Sequence, residues 1–276
     1  MTDATTSVAA AQAVRAAAAR LLTAAAAGEP CAPVRDLIGA DDVHAAYAVQ
    51  ELVTQARVAA GTAVTGRKIG LTSEAVQRQL GVDQPDFGFL FSDMAYLGGD
   101  VVPVGAVLQP RVEAEIAFTL ASDLAEGRLD EAQVRAAIGH AIPALEICGS
   151  RISGWDIRFG DTVADNASAG AYVLGPVRAR LDQFEPRVAQ MTMSIDGVEV
   201  SSGTGAACVG DPINAVVWLA QKARELGEPL RAGQVVLSGA LGPMRPVAPG
   251  QTVRAEISGL GSVTFTLDEP NDKEQV

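Results

Sequence analysis

Hydrophobic and polar positions follow two different patterns along the chain. The first 60 residues consist largely of strong helix formers: residues 8–27 end at the sequence GEP, and a second helix is predicted to begin at Asp41 or Asp42 and to end at Gly61. In this second stretch hydrophobic residues recur at the spacing of one helix face. The N-terminal part of the chain is therefore predicted to be helical.

From residue 63 onward the pattern changes to short apolar runs separated by glycine and proline, which is typical of β-strands. The predicted strands are AVTGRKIGL, GDVVPV, VEAEIAFTL, PALEIC, GAYVLG, QMTMSIDGVEV, GQVVLSG and SVTFTL, and the helices among them are LDEAQVRAAIGHA and DPINAVVWLAQKARELG. Because strands and helices do not alternate regularly, the pattern disfavours a doubly wound parallel sheet and predicts an α+β fold with a mixed, rolled β-structure. We place the helical N-terminal region at residues 1–95 and the mixed β-roll domain at residues 96–276.

The composition is typical of a globular protein that does not bind nucleic acid. The chain has 276 residues, of which 33 are acidic and 21 basic, a net charge of -12, and no run of lysines or arginines. Arg15 and Arg20 interrupt the alanine-rich N-terminus, and no stretch reaches the roughly 20 apolar residues of a membrane helix. We therefore expect a cytoplasmic protein without a nucleic-acid or membrane partner, in which an anionic substrate would need a local cation.

Histidine and cysteine are scarce, which argues against several kinds of site. The two histidines, His44 and His140, are too few for a histidine-based metal site or a Ser-His-Asp triad. Cys31, Cys148 and Cys208 are far apart and lack CxxC spacing, so buried free thiols are expected rather than disulfides or a zinc site. No phosphate-binding loop or dinucleotide motif has the required glycine spacing.

Two glutamates interrupt the apolar strand PRVEAEIAF at residues 110–118. Because side chains alternate between the faces of a strand, Glu113 and Glu115 share one face. Glu146 lies in a second apolar strand, PALEIC, and three carboxylates converge if the two strands are neighbours. Two unit charges about 4 Å apart repel by roughly 4 kcal/mol at an effective dielectric constant near 20, so such a cluster takes up protons or binds a hard cation such as Mg²⁺ or Mn²⁺. The alternative is that the glutamates line the solvent-exposed face of an edge strand.

Three further polar residues lie in contexts that suit a catalytic role. Lys68 is in the apolar strand TGRKIGLTS, where it can hydrogen-bond a carboxylate or enolate, and Asp86 is in a predicted proline-glycine loop, where it can move protons. A surface salt bridge and a turn aspartate explain the same residues without catalysis. Ser168 belongs to DTVADNASAG, whose Asp and Asn residues are equally typical of a turn before a strand.

Taken together, these motifs resemble those of a known family. The runs GRKIGLTS, QLGVDQPDFG, LQPRVEAEIAF, PALEICGSRI, DTVADNAS, GDPINAVVWLA and LSGALGPM are similar, in order and spacing, to the 2-keto-4-pentenoate hydratases of the hydratase/decarboxylase family, within the fumarylacetoacetate hydrolase-like superfamily. The likeness extends from about Pro33 to Phe265. It implies a mixed β-roll of the fumarylacetoacetate hydrolase C-terminal type with a helical N-terminal region, and a homo-oligomer, either a pentamer or a decamer.

The resemblance also implies a site and a reaction. The residues that match the family's site are Glu113, Glu115 and Glu146 as ligands of Mg²⁺ or Mn²⁺, Lys68 and Asp86 as catalytic residues, and Ser168 as a substrate contact. The implied reaction adds water to a small anionic substrate, 2-hydroxypenta-2,4-dienoate, and yields 4-hydroxy-2-oxopentanoate in the meta-cleavage catabolism of aromatic hydrocarbons. Association with the decarboxylase or the aldolase of that pathway is a further expectation.

Other functions compete with this interpretation. The sister decarboxylase acts on 4-oxalocrotonate, a diacid that calls for an additional cation in the distal pocket, and a related hydratase takes longer dienoates such as 2-hydroxyhexa-2,4-dienoate. A C–C bond hydrolase is disfavoured because neither histidine lies in the His-Glu motif typical of those enzymes. A non-catalytic partner protein is disfavoured because the three glutamates, the lysine and the aspartate are all present.

Overall fold

A computed structural model describes residues 2–73, 77 and 84–269 of the chain. Its α-helices are α1 (Thr2–Ala27), α2 (Arg35–Ile38), α3 (Val43–Ala59), α4 (Glu131–Ala137), α5 (Phe159–Ala164) and α6 (Pro212–Glu225). Its strands are β1 (Val64–Gly70), β2 (Asp86–Phe91), β3 (Ala95–Leu97), β4 (Val101–Val102), β5 (Arg111–Leu120), β6 (Ile138–Cys148), β7 (Ala171–Leu174), β8 (Gln190–Ile195), β9 (Val198–Thr204), β10 (Val235–Ala240), β11 (Arg245–Pro246), β12 (Thr252–Ile257) and β13 (Gly261–Leu267). Within these described ranges, no helix combines the length and the hydrophobicity that a membrane crossing requires.

Two mixed sheets form the body of the molecule. The eight-stranded sheet has the order β2-β1-β10-β5-β6-β7-β3, with β11 paired to β5, and the five-stranded sheet has the order β4-β13-β12-β8-β9. Each sheet contains parallel pairs, such as β1 with β10 and β4 with β13, among antiparallel ones. β12 and β13 pack against β6 of the larger sheet. The predicted α+β fold, with mixed sheets and a helical N-terminal region, is confirmed.

Apolar side chains form two cores. The larger core takes residues from both sheets and from α6, including the fully buried Phe118, Leu145 and Phe265. The smaller core lies among α1, α3 and α5 and includes Leu21 and Val49. Complete burial of each such side chain stabilises the fold by about 1.5–3 kcal/mol. The helical region is therefore packed around a core of its own beside the sheets.

Helix ends follow the capping signals of the sequence. The Asp42 side chain accepts a hydrogen bond from the backbone N–H of Ala45 at 2.9 Å, which defines the start of α3. The Asp211 side chain caps α6 through the backbone N–H of Ile213 at 2.8 Å, directly before Pro212. Both helix starts therefore lie where the sequence predicts them.

The structure corrects three local assignments. The helix predicted over residues 129–141 ends at Ala137, because the chain from Ile138 onward pairs with β5 as part of β6. Asp86, expected in a loop, is the first residue of β2 and lies opposite Gly70 of β1. The predicted strands omit β12, although its residues alternate between exposed and buried. Asp86 and residues 138–141 are strand residues because they pair with strands distant in sequence, about which local propensity contains no information, whereas the alternation in β12 is a local signal.

The large sheet also spans the predicted division of the chain. Residues 64–97 contribute β1, β2 and β3 to the sheet that contains β5 and β6. Only α1, α2 and α3 precede the first strand. The division at residue 95 stays a prediction, and the N-terminal helices are followed by strands that help to build the candidate site.

Candidate active site

The glutamates lie in the middle of the large sheet. β5 runs between β10 and β6, and in the register of β5 with β6 Glu113 stands directly opposite Glu146. The exposed fractions of Glu115 and Glu146 are 0% and 1%, while Glu113 is half-buried. The alternative of a solvent-exposed edge strand is therefore wrong, because the three carboxylates share a face inside the protein.

The carboxylates leave several oxygens without a partner. Glu113, Glu146 and Cys148 each place one potential ligand atom within 4.8 Å of the others. Glu115 is outside this closest group, and its Oε2 accepts a hydrogen bond from the backbone N–H of Gly239 at 2.7 Å. Among the described residues, no hydrogen-bond partner exists for Oε1 of Glu115 or for Oε2 of Glu146, and Oε1 of Glu146 has only an ion-pair contact with Lys68. Since buried polar groups are normally hydrogen-bonded, these oxygens are suited to bind a cation.

Burial and mutual repulsion change the protonation of the cluster. Burial, followed by repulsion from Glu146, raises the pKa of Glu113 to about 7. Burial, followed by the charges of Glu146 and Glu113, raises the pKa of Glu115 well above its usual value. Without a cation the cluster therefore retains protons near neutral pH, and a bound cation would replace them.

Lys68, on β1, supplies a positive charge beside the carboxylates. Its Nζ lies 3.2 Å from Oε1 of Glu146 and donates a hydrogen bond of 2.9 Å to the carbonyl oxygen of Ala167. Burial alone disfavours the ammonium form, but attraction to Glu146 and the neighbouring acids raises the pKa of Lys68 well above its usual value. Lys68 is therefore a buried cation at neutral pH, and its 3% exposure excludes the alternative of a lysine in a surface salt bridge.

Asp86 is directed into the same space from β2. Its Oδ2 accepts a hydrogen bond of 3.4 Å from Oγ1 of Thr162, and its Oδ1 has no partner among the described residues. Burial raises the pKa of Asp86, and the charge of Lys68 opposes this effect. A Cβ on Gly70 would lie 2.3 Å from Oδ1 of Asp86 and 3.3 Å from Nζ of Lys68, so only glycine leaves room for both groups. A buried carboxyl group with a raised pKa is suited to hold and deliver a proton.

The polar segment at residues 161–168 joins neighbouring elements through its Asp and Asn side chains and contains Ser168. The Asp161 carboxylate accepts hydrogen bonds from two backbone amides at the start of α2, and the Asn166 side chain bonds both the N–H and the carbonyl of Phe89. Ser168 Oγ lies 3.3 Å from Oγ1 of Thr162, which in turn reaches Asp86. The Asx residues are thus structural, as a turn predicts, and a chain of hydroxyl groups leads from Ser168 toward the aspartate.

These groups line one cavity of about 640 Å³, a size typical of small-molecule sites. Its polar and charged lining includes Lys68, Asp86, Arg111, Glu113, Cys148, Thr162 and Ser168. Glu146 and Glu115 are not part of the lining itself. Glu146 contacts Lys68, which lines the cavity, and Glu115 lies on the same face of β5 as Glu113. The structure therefore brings together all six residues that the sequence singled out.

Two residues of the cavity wall were not predicted to belong to a site. Arg111 precedes Glu113 by two positions, so the alternation that placed the glutamates on one face also places Arg111 there. Its guanidinium carbon lies 4.5 Å from the centroid of the Trp155 ring. Cys148 stands opposite Arg111 in the sheet and lies 3.6 Å from Oε1 of Glu113. It is a buried free thiol, as expected, but it contacts the carboxylate cluster.

The cavity wall also contains strained backbone. Four residues that line it are not glycine yet have positive φ angles: Leu71 at 55°, Trp155 at 56°, Ala167 at 49° and Ser168 at 55°. Each such conformation costs about 1–3 kcal/mol and is typical of functional sites. The concentration of strain here indicates that side-chain placement in this cavity matters more than local stability.

The chain is similar to known proteins over most of its length. Residues 57–268 match the fumarylacetoacetate (FAA) hydrolase C-terminal family. A Pseudomonas putida protein named TodF product hydratase is 57% identical over 91% of this chain and 94% of its own, and a 2-keto-4-pentenoate hydratase from Paraburkholderia xenovorans is 51% identical over 86% and 88%. The solved structure of 4-oxalocrotonate decarboxylase from Pseudomonas putida G7, complexed with magnesium and adipate, has a TM-score of 0.88 and 32% identity, and covers 93% of this chain and 97% of its own.

Proposed function

The chain belongs to the fumarylacetoacetate (FAA) hydrolase C-terminal family, and on this premise we propose that it is a hydro-lyase that adds water to 2-hydroxypenta-2,4-dienoate. The product is 4-hydroxy-2-oxopentanoate, and the reaction belongs to the meta-cleavage catabolism of aromatic hydrocarbons. The observation that carries the proposal is a cavity lined by Lys68, Asp86 and Glu113, with Glu115 and Glu146 next to Glu113 on the same face of the sheet. Two relatives that share more than half of their aligned residues with this chain are named hydratases.

Glu113, Glu115 and Glu146 are the proposed ligands of a divalent cation. Oε1 of Glu115 and Oε2 of Glu146 are buried without a partner among the described residues, which fits such an ion, and carboxylate donors suit Mg²⁺ or Mn²⁺. When bound, the ion would supply Lewis-acid polarisation of the substrate's 2-oxygen, worth several kcal/mol of charge stabilisation. Together with Lys68, it would provide the local positive charge that an anionic substrate needs in a protein of net charge -12.

In the first proposed step Asp86 protonates the substrate. The protonated carboxyl group donates its proton to C5, the 2-hydroxyl proton leaves to solvent, and the double bond moves to C3–C4. Lys68 is positioned to donate a hydrogen bond from Nζ to the 2-oxygen, where negative charge develops. Asp86 is left ionised, and the substrate has become an α,β-unsaturated 2-oxo acid.

In the second proposed step Asp86 acts as the base. Its carboxylate takes a proton from water while the water oxygen bonds to C4, the electron pair of the C3–C4 double bond forms a C2–C3 double bond, and the π pair of the C2 carbonyl moves to the 2-oxygen. Lys68 stabilises this enolate through its charge. C3 then takes a proton from solvent, which gives 4-hydroxy-2-oxopentanoate and restores the protonated Asp86. Ser168 is the proposed substrate contact, and its hydroxyl group lies 3.3 Å from that of Thr162.

Purified protein incubated with 2-hydroxypenta-2,4-dienoate and Mg²⁺ or Mn²⁺ tests the proposal. We expect loss of the dienol absorbance and formation of 4-hydroxy-2-oxopentanoate, identified by NMR. Parallel incubation with 2-hydroxyhexa-2,4-dienoate measures the preferred chain length. Repeating the reactions with each ion alone identifies the more effective cation.

Decarboxylation of 4-oxalocrotonate is the second candidate, favoured by the TM-score of 0.88 with a decarboxylase of the same fold. The identity to that enzyme is 32%, compared with 57% and 51% to the hydratases. Release of CO₂ from 4-oxalocrotonate, without hydration of the pentadienoate, would overturn the hydratase proposal.

We also propose that the protein is a homo-oligomer, a pentamer or a decamer, that works in the cytoplasm and associates with the decarboxylase or aldolase of its pathway. The support is the resemblance of its motifs to the hydratase family. Light scattering of the purified protein measures the assembly directly. A particle of 28.4 kDa, the mass of one chain, would contradict the oligomer.

A further inference from the structure

We propose that Arg111 binds the C1 carboxylate of the substrate and thereby orients the carbon chain in the cavity. This inference rests on the proposed function, since it assigns one end of the proposed 2-oxo acid or dienoate to a specific side chain. Arg111 does not touch the reacting carbons in this arrangement. Its role is to bind and position the substrate so that C4 and C5 lie toward Asp86.

The placement of Arg111 follows from the strand that carries the glutamates. Arg111 and Glu113 are two residues apart on β5 and share its face, so their backbones are separated by about 7 Å. Both side chains line the same cavity. A carboxylate group near Glu113 and Glu146 is therefore within reach of the long arginine side chain.

Arg111 also lacks an anionic partner within the protein. Its side chain forms no hydrogen bond or ion pair with any residue in the described part of the chain, although it is half-buried. In contrast, the more deeply buried Arg67 pairs with Glu228 at 3.0 Å, and Lys68 is engaged by Glu146. Taking a charge partly out of water is unfavourable unless an opposite charge meets it. The geometry indicates that this charge comes from the ligand.

The Trp155 ring packs against one face of the Arg111 guanidinium group and does not cover its edge. The Trp155 ring, on which it stacks, is oriented by a hydrogen bond of 3.0 Å from its Nε1–H to the carbonyl oxygen of Gln109. The Gln109 side chain accepts a hydrogen bond of 2.7 Å from the backbone N–H of Gly154, and this bond fixes the turn that contains the tryptophan. A guanidinium stacked on an aromatic face retains its in-plane N–H groups for a bidentate contact with a carboxylate.

This arrangement gives the cavity two chemically different ends. Arg111 and Trp155 form one wall, on β5 and the turn after β6, whereas Lys68 and Asp86 come from β1 and β2. A substrate with a single terminal carboxylate then has one preferred orientation, with its carboxylate at Arg111 and its hydrocarbon end at Asp86. The cavity should accordingly prefer 2-oxo acids to neutral 2-oxo amides of the same shape.

A thermodynamic cycle between the ligand carboxylate and Arg111 tests the inference. Calorimetry on the Mn²⁺-loaded full chain measures binding of 2-oxopentanoate, of 2-oxopentanamide and of the diacid 2-oxoadipate to wild type, Arg111→Gln and Arg111→Lys. We expect Arg111→Gln to weaken 2-oxopentanoate binding at least tenfold and amide binding by less than threefold. Arg111→Lys, which keeps the charge but loses the bidentate fork, should weaken the acid by an intermediate factor.

Two controls separate binding from folding and from metal affinity. Arg57→Gln removes another guanidinium stacked on a ring, 4.1 Å from the centroid of Phe91, and should leave both affinities unchanged. Electron paramagnetic resonance of free Mn²⁺ should show that Arg111→Gln retains Mn²⁺ affinity within twofold of wild type. If Arg111→Gln does not fold, as judged by circular dichroism, Arg111→Lys alone decides, and acid binding equal to that of wild type would overturn the inference.

Three results would overturn the assignment: acid binding by Arg111→Gln within twofold of wild type, equal losses for the acid and the amide, or a loss confined to 2-oxoadipate. The last result would place the guanidinium at the distal carboxylate of a diacid. Failure of the proposed function gives a different result. Wild type would then bind 2-oxopentanoate in an Arg111-dependent manner but would not hydrate the pentadienoate.

Discussion

Replacing Glu113 with glutamine tests two properties of the carboxylate cluster: the stability that its burial and charge repulsion cost the metal-free protein, and its contribution to metal binding. The folded protein holds Glu113 at a pKa of about 7, compared with 4.5 for an ordinary glutamate. Since the folded-state pKa is the higher one, the metal-free folded state binds more protons than the unfolded state between these values, and its stability falls as the pH rises through this window. A difference of about 2.5 in pKa corresponds to roughly 3 kcal/mol. The partial exposure of Glu113 to the cavity reduces this, so we expect about 1–3 kcal/mol.

Glu113→Gln should therefore stabilise the metal-free protein at pH 8, by about 2–5 °C in Tm. At pH 5 the gain should fall to about a quarter of its value at pH 8, and below about pH 4 it should vanish, because the glutamate is then protonated in both the folded and the unfolded wild type. Mn²⁺ at 100 times its Kd should stabilise the wild type by about 2.7 kcal/mol and the variant much less. Thermal unfolding followed by circular dichroism, at both pH values and with either EDTA or Mn²⁺, measures all four cases.

The matched control is Glu199→Gln, on β9, where the glutamate is exposed and forms no ion pair with another described residue. It should behave as wild type in every condition. If metal-free Glu113→Gln is less stable than wild type at pH 8, the carboxylate makes a structural contact that outweighs its repulsion. If Mn²⁺ stabilises Glu113→Gln as much as wild type, Glu113 is not a metal ligand.

Three further substitutions test the cavity and its support. Gly70→Ala would place a Cβ 2.3 Å from the Asp86 carboxylate and should lower kcat at least a hundredfold with the fold retained, whereas Gly105→Ala, which meets nothing within 4 Å, should keep full activity. Asp86→Asn should lower kcat by about 10²–10⁴ while Mn²⁺ affinity stays unchanged, and turnover near the wild-type rate would exclude Asp86 as the proton carrier. Leu145→Ala, in the core, should cost about 2–5 kcal/mol of unfolding free energy, and Leu97→Ala, at 67% exposure, less than about 0.5, both measured in urea.

Much of the fold could be predicted because its signals are local. Asp42 and Asp211 cap helices where the sequence places them, and alternation along residues 110–118 put Glu113 and Glu115 on one face. The same alternation includes Arg111, whose position in the cavity wall was predictable but overlooked. These features depend on neighbours within a few residues, which is the range over which sequence periodicity carries information.

The remaining features depend on contacts between distant segments. Asp86 is a strand residue because β2 pairs with β1, and residues 138–141 leave the predicted helix because they pair with β5. No local pattern identifies such partners, since strand propensity reports mainly how well a side chain fits a half-buried, pleated surface. The predicted helix was therefore wrong at its C-terminal end for the same reason that the aspartate was misplaced.

Residue types and strand alternation were enough to predict the candidate site residues and the strand face on which Glu113 and Glu115 lie. Three further features come from the packing of the strands. Glu113 lies opposite Glu146, Glu115 accepts a hydrogen bond from the backbone N–H of Gly239, and Lys68 contacts Glu146. Residue type and alternation are properties of a single strand, whereas register and burial come from the strands packed around it. Since charge repulsion and pKa depend on distance and burial, the conversion of three glutamates into a candidate metal site required the assembled sheet.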